Sequence, residues 1–115
     1  MKKNTLLALL LSVSSFAALA AGNIEAGKLA AEKFNCASCH GANYSTPIDP
    51  SYPKLAGQHK DYLVQALKAY QRGSDGAYGR ANAIMGAQAK ALSNTDIQNI
   101  SAYIHSLPGS LVLKK

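Results

Sequence analysis

The pentapeptide Cys36-Ala37-Ser38-Cys39-His40 constrains this chain more than any other stretch. Positions i, i+3 and i+4 share one face of a helical turn, and Cys36, Cys39 and His40 hold those positions. Two thiols and an imidazole so placed can engage one flat group from one side. The thiols form thioethers with two vinyl substituents, and the imidazole reaches a central iron. C-x-x-C-H is the attachment signature for a c-type haem, and histidine is a standard proximal ligand of haem iron. Three other readings use the same residues. The two cysteines, which are the only ones in the chain, could close a disulfide in an exported protein. They could be a redox pair, but that motif belongs to a βαβ pattern that this sequence lacks. They could be half of a zinc site, which needs a second ligand pair. Only His59 and His105 could supply it, and they lie far apart in the sequence.

The N-terminus has the three parts of a secretory leader. Lys2 and Lys3 form a basic start, Leu6 to Val13 an apolar run, and Ala18-Leu19-Ala20 a small-x-small cleavage site. The apolar run is short for a membrane span and has no stop-transfer flank. Cleavage after Ala20 is expected, with residues 21–115 forming a single domain and no integral membrane anchor. A domain of that size gains from a large apolar insert. A chain with no Trp and few aromatics suits a core whose largest flat object is not a side chain.

Removing Lys2 and Lys3 takes the twelve basic residues to ten, against six acidic ones. The net charge is then about +4, or about +2 with two ionised haem propionates. The basic residues are scattered, and no dense run points to nucleic acid. Such a surface fits brief encounters with redox proteins that carry acidic docking patches.

Three substantial helices and no strand are expected. The first runs from Ile24 to about Asn35, with Ala26, Leu29, Ala30 and Phe34 as its apolar stripe, and leads directly into the cysteine motif. Gly27 inside it marks either a close helix crossing or a frayed first turn. The second runs from Lys60 to Gln71. Leu63, Ala66, Leu67 and Tyr70 form its buried stripe, and Gly73 caps its end. The third runs from Asn94 to Leu107, with Ile97, Ile100, Ile104 and Leu107 as its stripe. Ser93 and Asp96 make a capping box at its start, and Pro108-Gly109 stops it. Tyr103 could pack over Gly27. Residues Ser110 to Lys115 read as a loose tail.

Between these helices, Pro47, Pro50 and Pro53 exclude helix from the segment 41–53. The Pro53 carbonyl is a candidate acceptor for the outer ring nitrogen of His40, since ligating histidines usually donate that nitrogen to a carbonyl. Otherwise Pro53 is a simple turn residue. Ser74 to Ile84 reads as a loop. Met85 follows it, and a short helical segment spans Ala87 to Leu92. Methionine often fills gaps in cores, but Met85 is the only methionine left once Met1 is lost with the leader. In a His/Met haem it must be the thioether ligand. His59 reads as a loop residue and His105 as a partly exposed helix residue.

Several stretches together resemble the class I cytochromes c, and most nearly one domain of the bacterial c4-type cytochromes and their single-haem relatives. They are Cys36-Ala37-Ser38-Cys39-His40-Gly41; Tyr52-Pro53-Lys54-Leu55-Ala56-Gly57-Gln58; Tyr62-Leu63 with Gln65 and Leu67; Gly73; Met85; Leu92-Ser93 with Asp96-Ile97; and Tyr103-Ile104. The resemblance implies a small all-α cytochrome c fold, with three main helices and short helical turns wrapped around one covalent haem c. It implies that the first and last helices cross. It implies His40 and Met85 as axial iron ligands, Cys36 and Cys39 as attachment points, and the Pro53 carbonyl as acceptor from His40. The c4-type proteins carry two such domains. This chain has one motif, so a monomer or a homodimer of single-haem chains is expected.

The function expected is soluble electron transfer in the periplasm, without enzymatic activity. Two alternatives stay open. One is a haem enzyme or ligand sensor with a labile sixth ligand. The other is a haem subunit of a larger dehydrogenase. A bis-His centre using His59 is a further ligation variant.

Overall fold

A computed structural model describes residues 21–110, so the expected leader at 1–20 and most of the expected tail lie outside the described residues. Among the described residues five helices follow one another: α1 (Ile24–Lys33), α2 (Ala37–His40), α3 (Lys60–Arg72), α4 (Ala83–Lys90) and α5 (Asn94–Ser106). The described residues contain no strand. None of their helices is long and apolar enough to cross a membrane.

The core lies where α1, α3 and α5 meet. Its buried members are Ala31, Leu63, Val64, Ile97, Ile100 and Ile104 from these helices, joined by Tyr44, Ala56 and Leu92. The isoleucine stripe of α5 supplies three of its nine buried members, and full burial of each such side chain contributes about 1.5–3 kcal/mol. The start of α5 is fixed by its own sequence. Ser93 Oγ accepts from Asp96 N at 3.0 Å and Asp96 Oδ2 accepts from Ser93 N at 2.9 Å. This reciprocal capping box satisfies two otherwise unpaired donors.

α1 and α5 cross at Gly27. A Cβ at this position would collide with the carbonyl oxygen of Asn99 and lie 2.8 Å from Tyr103 Cβ. The glycine is buried within the helix, so its role is close approach of the two backbones and not fraying. Asn99 Oδ1 also accepts from Asn23 N at 2.8 Å. The crossing turns α1 about its axis relative to the expected stripe. Gly27 and Ala31 are buried, whereas Leu29 is 66% exposed. A helix that packs through its smallest residues turns its leucine outward.

α1 does not run unbroken into the cysteine motif. It ends at Lys33, and Asn35 adopts a left-handed conformation with φ 54°. Asparagine tolerates that region better than most residues. The break re-aims the next turn while keeping it tied to α1, since Cys36 N donates to Ala31 O at 3.1 Å.

Candidate haem site

The turn that follows the break brings the motif together. Cys36 has helical dihedrals, φ −58° and ψ −39°, and His40 N donates to Cys36 O at 3.1 Å. Cys36, Cys39 and His40 therefore share one turn, as their spacing predicts. Both thiols are free and partly buried, with no disulfide between them. Burial pushes the Cys36 thiol above its ordinary range, and the neighbouring Cys39 adds to the shift. A thiol so shifted forms less thiolate and exchanges more slowly. Among the described residues, no three of His, Cys, Asp and Glu gather into a metal-binding cluster, so the second half of a zinc site is not formed.

His40 is buried, and its Nδ1 lies 3.1 Å from the carbonyl oxygen of Pro53. A carbonyl only accepts, so Nδ1 carries the proton and Nε2 keeps its lone pair for a metal. The Pro53 segment is itself held in place. Leu55 N and Ala56 N both donate to Tyr44 O, at 2.8 and 3.0 Å, and the Tyr44 ring meets Tyr103 edge to face at 6.0 Å.

Cys36, Cys39, His40 and Met85 all border one cavity of about 450 Å³. Leu63, Leu67 and Tyr70 of α3 and Ile100 and Ile104 of α5 supply apolar walls. The expected stripe of α3 thus divides in two. All four border the cavity, but Leu63 is also buried in the core, while Ala66, Leu67 and Tyr70 are half-buried. Met85 is not in a loop as expected. It lies in the first turn of α4, whose N-cap Asn82 accepts from Met85 N at 2.9 Å. Asparagine before a small-residue run is a helix-start signal, and the glycines and alanines around it hid that signal. His59 is exposed at the N-cap of α3 and does not border the cavity. His105 is exposed, and its Nδ1 lies 2.8 Å from Gln58 O.

Two further residues of this region were not singled out by sequence. Gln71 Nε2 donates to Ala89 O and Leu92 O, at 2.9 and 3.0 Å, and so closes the C-terminal end of α4. Ser101 borders the cavity, is fully buried, and its Oγ has no hydrogen-bond partner. Nothing in the sequence separates Ser101 from an ordinary core position.

The residues present fit a flat apolar group held by two thioethers. The thiols are free, the histidine is fixed in a metal-binding tautomer, and the adjoining cavity has aliphatic and aromatic walls. An all-helical chain closed around such a cavity defines a c-type haem protein. The family model for cytochrome c matches residues 24–108. The chain belongs to the cytochrome c family, whose cofactor is covalently attached haem c. It is 39% identical over 96 residues to cytochrome c4 of Stutzerimonas stutzeri, covering 80% of this chain and 44% of that protein. It is 37% identical over 93 residues to cytochrome c-554(547) of Halothiobacillus neapolitanus, covering 76% of this chain and 99% of that protein. The crystal structure of reduced recombinant cytochrome c4 from Pseudomonas stutzeri superposes with a TM-score of 0.67 at 35% identity. That match covers 78% of this chain and 48% of that one. The chain thus spans less than half the length of the c4 proteins it matches.

Proposed function

We propose that this chain is a periplasmic electron carrier and not an enzyme, formed by one domain at 21–115 after removal of a leader. His40 and Met85 are the two axial ligands, Cys36 and Cys39 carry the haem, and the Pro53 carbonyl orients His40. The observation that carries this reading is that His40, on α2, and Met85, on α4, border the same cavity. The bound haem supplies a one-electron ferric–ferrous couple. The protein's part is to hold both sides of the iron closed. His40 is fixed by its hydrogen bond to Pro53, and Met85 by the capping of its own backbone N–H. With His40 and Met85 both bound, the iron would have no position left for a substrate. Tyr62 and Ile84 border the cavity and yet are 49% and 53% exposed. They mark an edge that a redox protein with an acidic patch can approach, over the small interface typical of electron-transfer encounters.

Optical spectra of the purified protein, taken after extraction that removes non-covalent haem, test the ligation. The ferric form should show the weak long-wavelength band of iron bonded to a thioether sulfur. Met85→Ala should abolish that band and let carbon monoxide bind the ferrous form. Covalent haem with no such band in the parent protein, together with ready carbon monoxide binding, would move the assignment to a haem enzyme or ligand sensor.

A further inference from the structure

Residues 73–82, which join α3 to α4, lie folded back on α3. Arg80 N donates to Ala69 O at 2.9 Å. Arg80 Nη2 donates to Tyr62 Oη at 3.1 Å. The Arg80 guanidinium carbon stands 5.5 Å from the ring centroids of both Tyr62 and Tyr70. Arg72 Nη2, at the end of α3, donates to Tyr78 O at 3.1 Å. At Gly79 a Cβ would collide with the carbonyl oxygen of Gly73, the C-cap of α3, so the segment folds tightly back on its own start. On the far side of α4, Gln71 makes its two bonds to Ala89 O and Leu92 O. Met85 therefore sits between two anchor points, Arg80 before it and Gln71 after it, and both fasten it to one helix.

Arg80 is suited to this because its flat guanidinium stacks on aromatic faces while its fork donates to a hydroxyl. A lysine offers a point charge and no flat face. Arg80, Tyr62 and Tyr70 all border the haem cavity, so the clamp closes beside the group that it serves.

We infer that Arg80 is a positioning residue: by clamping residues 73–82 onto Tyr62 and Tyr70, it keeps Met85 on the iron against competing ligands. The inference rests on the His40/Met85 ligation proposed above. Ferric protein is titrated with imidazole while loss of the long-wavelength band is followed, and thermal unfolding is recorded in parallel. Arg80→Ala should bind imidazole at least tenfold more tightly than the parent, with a melting temperature within a few degrees of it, because the side chain is exposed. Tyr62→Phe, which keeps the ring and loses only the acceptor, should fall between the two. Arg80→Lys should tighten binding too, though less than Arg80→Ala. An Arg80→Ala affinity within twofold of the parent, in a protein that shows the band, overturns the inference alone. A parent protein without the band overturns the ligation and the inference with it. Gly27→Ala, which loosens the fold far from this segment, is the control for general destabilisation. If it tightens imidazole binding as much as Arg80→Ala does, the clamp is not specific and the inference fails.

Discussion

Replacing Gly27 by alanine should destabilise this protein, although alanine is the better helix former by about 1 kcal/mol. The added Cβ would lie 2.8 Å from Tyr103 Cβ and overlap the carbonyl oxygen of Asn99. Normal contact begins near 3.4 Å, and the Asn99 oxygen is backbone that cannot swing aside. The helices must therefore part by roughly 1.5 Å, a small-to-large insertion that costs about 1–3 kcal/mol. The same movement stretches the 2.8 Å bond from Asn23 N to Asn99 Oδ1, whose loss costs about 0.5–1.5 kcal/mol. After the gain in helix propensity, the net loss is about 0.5–3.5 kcal/mol. For a domain of this size that corresponds to a melting temperature lower by roughly 2–28 °C. Far-UV circular dichroism melts of the haem-loaded ferrous protein measure it. Gly86→Ala is the matched control, also a glycine inside a helix. The nearest atom to its added Cβ is Tyr70 O at 3.8 Å, so this variant should gain about 0.5–1 kcal/mol. The reasoning is refuted if Gly27→Ala melts at or above the parent temperature, because the crossing would then have room that the structure denies.

Two further predictions concern single buried hydroxyls. Burial is the largest cause that pushes the Tyr44 phenol from its ordinary value up to about 12, and Tyr103 and Glu32 add to it. The folded state then holds this proton more tightly than the unfolded state. That stability is complete below about pH 10 and is lost as pH rises towards 12. Denaturant melts of ferrous protein across that window should show a loss of up to roughly 2 kcal/mol that is missing in Tyr44→Phe. Ser101 Oγ, buried without a partner, should be dispensable. Ser101→Ala should leave stability unchanged or raise it by about 1 kcal/mol, and a clear fall in the melting temperature would show that the hydroxyl has a partner in the haem-loaded protein.

The sequence was most legible where local chemistry alone decides the structure. The capping box at Ser93 and Asp96 and the isoleucines at 97, 100 and 104 placed α5 without reference to the rest of the chain. The cysteine motif was legible for the same reason, since one helical turn contains it. What the sequence hid depends on partners far along the chain. Leu29 looked like a core residue because periodicity does not reveal that α1 packs through Gly27 and Ala31. Met85 stands out in the sequence as the only methionine left, but its place in the first turn of α4 depends on Asn82, a lone cap in a run of small residues. Arg80 looked like one scattered charge among ten. Its significance appears only once Tyr62 and Tyr70 lie on the face of α3 that meets it.

The contact of α1 with α5 also sets an order of assembly. Asn23 and Asn99 are bonded across 76 positions, so the crossing forms only when nearly the whole chain is present, and closing so long a loop is slow. Cys36, Cys39 and His40 lie just beyond α1, while the cavity wall carrying Ile100 and Ile104 comes last. A chain that emerges N-terminus first therefore presents its two thiols while the cavity still lacks a wall. Thioether formation has that interval in which to proceed on an open chain, and the arrival of α5 closes the protein around whatever is already attached.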